Sequence, residues 1–142
     1  MRYRMGAALL SLIGFFVATY LYLFKLGKIA GLACGTGGCE RVQASPWATF
    51  LGLPVAAYGV AGYLACLVCA LIALQQPADR RHWSDALLLA GAATGVAFTA
   101  WLTFAEAFLI HAWCRWCLGS AAIIALLCLC ALLGWRSLRR TP

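Results

Sequence analysis

The sequence predicts an all-α membrane protein, a bundle of four transmembrane helices with a short interfacial helix in the first outer loop. Of its 142 residues, 65% are hydrophobic and only 11% are charged, which is too apolar for an ordinary soluble domain. Four apolar runs each have the roughly 20 residues that a helix needs to cross the bilayer core. We expect spans at about 6–24, 53–74, 86–110 and 113–135, so that residues 1–142 form a single membrane domain.

The positive charges predict how the bundle is oriented. The net charge of +7 comes from cations at the helix ends, which indicates a role in orientation and not in nucleic-acid binding. On the side of the termini lie Arg2, Arg4, Arg80, Arg81, Arg136, Arg139 and Arg140, and on the other side lie Lys25, Lys28, Arg41 and Arg115. The positive-inside rule then places both termini in the cytoplasm. We expect a multi-pass protein of the bacterial inner membrane, in contact with lipid, with its first loop facing the oxidising periplasm.

The first span is expected to be a retained anchor. Its apolar run is longer than the core of a signal peptide, and it ends in the aromatic stretch 20–24 instead of in small residues. The outer loop, residues 25–52, follows it. Within this loop Cys34 and Cys39 flank a glycine-rich tether, so a disulfide between them closes easily. Such a small ring stabilises a fold little and suits thiol–disulfide exchange better.

The loop ends in the predicted interfacial helix. Ser45 is a good N-cap and Pro46 suits the first helical position, while Trp47, Phe50 and Leu51 have the i, i+3, i+4 spacing of one apolar face. A helix of this length lies on the membrane surface. Both a lid over a buried site and a plain connector fit this pattern.

The next two spans carry fewer chemical signals. Ser84 or Asp85 is expected to cap the third helix, and the small residues in 91–97 indicate close helix packing. Glu106 lies inside the outer part of this helix, where an acidic residue is costly and often functional, although the headgroup zone is an alternative position for it. His111 lies at the outer turn and is a candidate for moving protons.

The fourth span opens with a second cysteine pair. Cys114 and Cys117 share a helix face near the membrane surface, and both the helix N-terminus and Arg115 favour the reactive thiolate form. Oxidation of thiols releases two electrons, and a lipid-soluble quinone is the acceptor available at that depth. Cys117, the deeper cysteine, is the better candidate to face it.

Four further cysteines lie deep in the spans, and the outer four allow uses other than redox chemistry. Cys66, Cys69, Cys128 and Cys130 lie deep in the spans and are expected to be small apolar residues without redox function. A zinc site is disfavoured because one pair is half buried in the membrane, so no metal is expected. Purely structural disulfides remain an alternative.

At these residues the sequence resembles the vitamin K epoxide reductase family, and specifically its prokaryotic disulfide-forming members, whose role is similar to that of DsbB. The matching features are Cys34, Cys39, Glu40-Arg41-Val42, Ser45, Gly52-Leu53-Pro54, Gly59 and Cys114-x-x-Cys117. They span about residues 7–135. The gap between the two loop cysteines is short for the family, and no thioredoxin-like domain is fused, so the partner is expected to be a separate protein.

The resemblance implies a four-helix bundle enclosing a quinone, either ubiquinone or menaquinone, as bound co-substrate. Cys117 would lie next to the quinone with Cys114 as its exchange partner, and Ser45 would lie near the pocket. Cys34 and Cys39 would relay electrons from a thioredoxin-fold, DsbA-like enzyme. The expected function is therefore quinone-dependent reoxidation of that enzyme. The alternatives are a vitamin K quinone or epoxide reductase and, in a different class, a membrane scaffold with structural disulfides.

Overall fold

Four long helices make up most of the protein, as the sequence predicts. The computed structural model describes residues 2–28, 44–111 and 115–140. Within these residues the long helices are α1 (Arg2–Lys25), α2 (Val55–Gln75), α3 (Arg81–Phe104) and α4 (Arg115–Arg140). A π-helical segment, Ala105–Ile110, continues α3. Each of the four is long and apolar enough to cross a membrane, so the chain is a multi-pass membrane protein.

The helices form a closed ring. α1 packs against α2 and α4, and α3 packs against the same two helices, so α1 and α3 stand at opposite corners. Small residues line the interior and let the helices approach closely, among them the fully buried Ala7, Ala70 and Ala92. Many large apolar side chains, such as Phe16 and Leu126, instead point outward, where lipid would solvate them. We call the end where α1 finishes and α4 begins the loop end, and the opposite end the terminal end.

An ion pair closes the terminal end. Arg4 donates to Asp85 from Nε to Oδ1 at 3.1 Å and from Nη2 to Oδ2 at 2.6 Å, and both side chains are buried. The pair links the diagonal helices α1 and α3. The expected capping role of Ser84 or Asp85 is therefore wrong: α3 begins at Arg81 with Arg80 as its N-cap, and both residues lie within the helix. Asp85 is held by an arginine that is distant in sequence, which no local capping pattern reveals.

The interfacial helix of the first loop is a single 3₁₀ turn, Pro46–Ala48. Beyond it the chain forms a two-residue antiparallel hairpin, in which β1 (Thr49–Phe50) pairs with β2 (Leu53–Pro54). The two turn residues, Leu51 and Gly52, have positive φ angles of 53° and 82°, as in the type I′ turns that fit such hairpins. Residues 49–51 therefore do not continue the helix, and the hairpin leads directly into α2.

Candidate functional site

A cavity of about 130 Å³ lies between the four helices in the half of the bundle near the loop end. Its wall is mostly apolar, with contributions from residues such as Leu21, Phe98, Leu102 and Ile124. An apolar cavity of about 150 Å³ in a protein core is known to admit a benzene-sized ring. The space therefore suits one six-membered ring. Eight of the described lining residues carry a polar or thiol group: Tyr58, Tyr63, Cys66, Thr99, Thr103, Glu106, Cys117 and Ser120.

Cys117 reaches this cavity from the first turn of α4. It is half-buried, and the residue before it, Trp116, packs on the ring of Tyr20 of α1 with the ring centroids 5.0 Å apart. This contact fixes the start of α4 against α1. Cys117 thus lies near a helix N-terminus, where the helix dipole stabilises negative charge. A thiol in the wall of a ring-sized cavity is positioned to react with what the cavity holds.

Glu106 reaches the same cavity from the π-helical segment. The side chain is only 2% exposed, whereas Phe104 and Phe108, which flank it on the same segment of chain, are 49% and 64% exposed. The backbone N–H of His111 donates to the carbonyl oxygen of Glu106, which is the five-residue spacing of a π-helix. The wider turn lets Glu106 face the interior while the aromatic residues face lipid. The sequence alone does not predict the change from α-helix to π-helix that turns Glu106 inward.

Tyr63 and Ser120 join two walls of the cavity. The Tyr63 hydroxyl donates to the Ser120 carbonyl oxygen at 2.9 Å and lies 2.8 Å from the Ser120 hydroxyl. The ring of Tyr63 is accommodated because residue 14 of α1 is glycine: a Cβ there would overlap three ring carbons. Ser120 is one helical turn beyond Cys117, so this contact also fixes the helix that carries the thiol. The sequence analysis did not identify this pair.

The two cavity threonines bind their own helix. Thr103 donates from its hydroxyl to the carbonyl oxygen of Thr99 at 2.8 Å, and Thr99 donates to that of Gly95 at 3.0 Å. These bonds satisfy both hydroxyl protons inside α3. Their oxygen atoms remain part of the cavity wall, as acceptors.

Several residues singled out from the sequence are placed elsewhere or lie outside the description. Cys34, Cys39 and Cys114 lie outside the described residues. Ser45 precedes the 3₁₀ turn and is half-buried, and His111 is exposed with a left-handed φ of 57°. Both are at the loop end, and neither is among the residues that line the cavity.

Cys66 was expected to be a small apolar residue, and it is one of the cavity residues. It is 4% exposed and belongs to the buried core cluster of the bundle. The partly buried cysteines Cys69, Cys128 and Cys130 pack against the same cluster but do not line the cavity. A C-x-x-C spacing within a span does not indicate which cysteine faces inward, because that depends on helix packing.

A second space lies beneath the hairpin and adjoins the cavity. Trp47 and Phe50 on one side and Trp101 of α3 on the other form its walls, with the rings of Trp47 and Trp101 in edge-to-face contact at 5.8 Å. Val55, Phe98 and Leu102 line both spaces, so the two are separated only by these side chains. The hairpin segment therefore covers the flank of the cavity.

The comparison with known families identifies the kind of site. The model of the Vitamin K epoxide reductase family matches residues 6–132, which is most of the chain. The chain therefore belongs to this family, whose members are quinone-linked thiol oxidoreductases of membranes that work with thioredoxin-like redox partners.

Proposed function

We propose that this member of the vitamin K epoxide reductase family reoxidises a separate, DsbA-like thioredoxin-fold enzyme in the bacterial periplasm and so drives disulfide formation in exported proteins. Membership of the family establishes thiol–quinone chemistry in a membrane. The proposal adds the direction of electron flow, the partner and the compartment. The observation that supports it best is the position of Cys117 in the wall of a cavity that fits one six-membered ring.

The residues of the cavity fit a quinone head group. The apolar side chains of Phe98, Leu102 and Ile124 would hold the ring by packing, and Glu106 offers a polar contact for a ring oxygen. Ser45 and His111, at the loop end, are retained as proposed contacts for the more exposed part of the molecule. When bound, a quinone supplies an acceptor for two electrons and two protons.

The cysteines would pass electrons by thiol–disulfide exchange. A thiolate of the reduced partner attacks the Cys34–Cys39 disulfide, and the partner leaves oxidised while the loop pair becomes a dithiol. The loop dithiol then attacks the Cys114–Cys117 disulfide in the same way, which leaves that pair reduced. Each exchange breaks one S–S bond and forms another, so one pair of electrons passes from each dithiol to the next disulfide. Oxidation of the Cys114–Cys117 dithiol beside the cavity completes the cycle.

The position of Cys117 supports its role as the last cysteine of this path. A charge near a helix terminus is stabilised by about 0.3–1 kcal/mol by the helix dipole, which favours the Cys117 thiolate. Arg115, exposed two residues earlier, adds a positive charge on the same turn. The charges also support a cytoplasmic position for both termini. Seven of the eleven cations lie next to the termini or in the connection between α2 and α3, and four lie on the loop side.

Capture of the partner tests the proposal. A periplasmic thioredoxin-fold oxidase that lacks its second active-site cysteine should form a mixed disulfide with the wild-type chain, and mass spectrometry should place the bond at Cys34 or Cys39. The Cys128→Ser variant is the matched control, because Cys128 lies away from the cavity, and it should give the same adduct. Failure to form any adduct, or an adduct at a cysteine deep in a span, would contradict the proposed path.

A further inference from the structure

The cavity contains one side chain that thiol exchange does not use, the carboxyl group of Glu106. A carboxylate inside a membrane span is expensive, and such residues commonly belong to ion or proton pathways. Glu106 is nearly fully buried, and it lines the same cavity as Cys117. The π-helical segment buries Ala105 and Glu106 while Phe104 and Phe108 on either side stay exposed, so Glu106 is its buried polar residue. π-helical segments are often found at functional sites.

The other groups in the cavity wall narrow the possible roles of this carboxyl. Among the described lining residues no lysine, arginine or histidine is present, and the other titratable side chains are Tyr58, Tyr63, Cys66 and Cys117. The Tyr58 hydroxyl donates to the carbonyl oxygen of Phe50 at 2.9 Å. The hydroxyl proton of Tyr63 is engaged with Ser120, and those of Thr99 and Thr103 are engaged with carbonyl oxygens of α3. Apart from the thiols and the two tyrosines, Glu106 is the one titratable group among the described lining residues.

The reaction of the proposed function needs such a group. Oxidation of a dithiol to a disulfide breaks two S–H bonds, forms one S–S bond and releases two electrons and two protons. Reduction of a quinone to a hydroquinone takes up two of each at its two oxygen atoms. Electrons can pass directly from the sulfur beside the cavity, but each proton needs a donor within hydrogen-bond reach. General acid catalysis by a placed carboxyl is a known solution.

We propose that Glu106 is the proton-transfer residue of the cavity, holding one proton on its carboxyl oxygen and donating it to a carbonyl oxygen of the bound quinone. This inference rests on the proposed function. Glu106 recovers the proton through the loop end, where the π-helical segment finishes at the exposed His111, five residues further along. The carboxyl is thus unchanged after each turnover. Of the two protons that the cysteine pair releases on oxidation, one goes to the other carbonyl oxygen of the quinone. The other leaves to water at the loop end and balances the proton that Glu106 takes up there.

Chemical labelling provides a test that does not depend on turnover. Dicyclohexylcarbodiimide reacts with protonated carboxyl groups in apolar surroundings, so mass spectrometry should find an adduct on the peptide that carries Glu106, and a short-chain ubiquinone should suppress it. The Glu106→Gln variant should lack the adduct. Asp79→Asn is the matched control: Asp79 is exposed in the connection between α2 and α3, and its replacement should leave the labelling unchanged. An unlabelled Glu106 in the wild type would overturn the inference.

Kinetics then separates proton transfer from binding. Loss of a general acid typically costs about 10²–10⁴-fold in rate, so Glu106→Gln should lower kcat by about 10²-fold or more while the Kd for the short-chain ubiquinone changes little. Glu106→Asp should recover part of kcat. Thiol exchange with the reduced partner should be normal in all variants, which shows that they are folded. A near-normal kcat in Glu106→Gln, or a Kd that rises as much as kcat falls, would overturn the proton role.

The outcomes also distinguish this inference from the proposed function. If the wild-type protein exchanges thiols with the partner but reduces no quinone, the proposed function fails. If the wild type reduces quinone and Glu106→Gln does so equally well, only the proton role of Glu106 fails.

Discussion

The replacement Gly14→Ala should displace the wall of the cavity. Its new Cβ would overlap three carbons of the Tyr63 ring, so the ring must shift towards the cavity that it lines. Overpacking of a core typically costs about 1–3 kcal/mol, and loss of the Tyr63–Ser120 hydrogen bond adds about 1 kcal/mol. Alanine gains about 1 kcal/mol over glycine in helix propensity, so the net destabilisation should be about 1–3 kcal/mol. Because Ser120 lies one turn beyond Cys117, the KM for quinone should rise as well.

Unfolding in detergent and quinone kinetics measure these two effects. Gly119→Ala is the matched control: it lies in α4 near Cys117, and a Cβ there meets no described atom within 4 Å. It should not destabilise the protein. Tyr63→Leu provides a second check, because the smaller side chain should make Gly14→Ala much less costly, a coupling that a double-mutant cycle measures. If Gly14→Ala matches the wild type in both stability and KM, the assigned packing of Tyr63 is refuted.

Three further changes test other parts of the structure. Arg4→Met should lower the free energy of unfolding by about 3–5 kcal/mol, because Asp85 is then buried without its partner. The double variant Arg4→Met with Asp85→Leu should lose less, and losses that simply add would contradict a coupled pair. Trp47→Ala removes an edge-to-face contact worth about 0.5–1.5 kcal/mol, so the KM for quinone should rise several-fold while kcat is retained. An unchanged KM would show that the hairpin segment does not cover the cavity. Cys66→Ala should alter KM but not kcat, since Cys66 forms wall only; a loss of kcat would show that it carries electrons.

The helices and the family could be predicted from sequence because their signals are local. Long apolar runs determine the spans, and the described helices lie where those runs lie. The hairpin after Ala48 was not predicted, because the spacing of Trp47, Phe50 and Leu51 also suits a helix. What decides the conformation is the left-handed pair Leu51 and Gly52, which lets Leu53 and Pro54 pair with the preceding strand before α2 begins.

The interior of the site was harder to predict, because it depends on how the helices pack. Glu106 was singled out as a rare acidic residue in a span. Its position in the cavity wall depends on a π-helical segment, which the spacing of apolar residues in the sequence does not predict. Cys66 was expected to be a small apolar residue without redox function, and its place in the cavity wall depends on which face α2 turns to the other helices. The pairing of Arg4 with Asp85 joins residues 81 positions apart. The roles of the four outer cysteines stay predictions.

Steady-state quinone reduction tests the central claim most directly. The purified protein in detergent would be supplied with a reduced thioredoxin-fold donor and a short-chain ubiquinone, and the wild type would be compared with Cys117→Ser and Cys128→Ser. Cys117 lines the cavity and Cys128 does not, although both lie on α4. Loss of turnover in Cys117→Ser alone is the predicted result. Equal turnover in all three proteins, or no quinone reduction with any donor, would contradict the account and favour a scaffold held by structural disulfides.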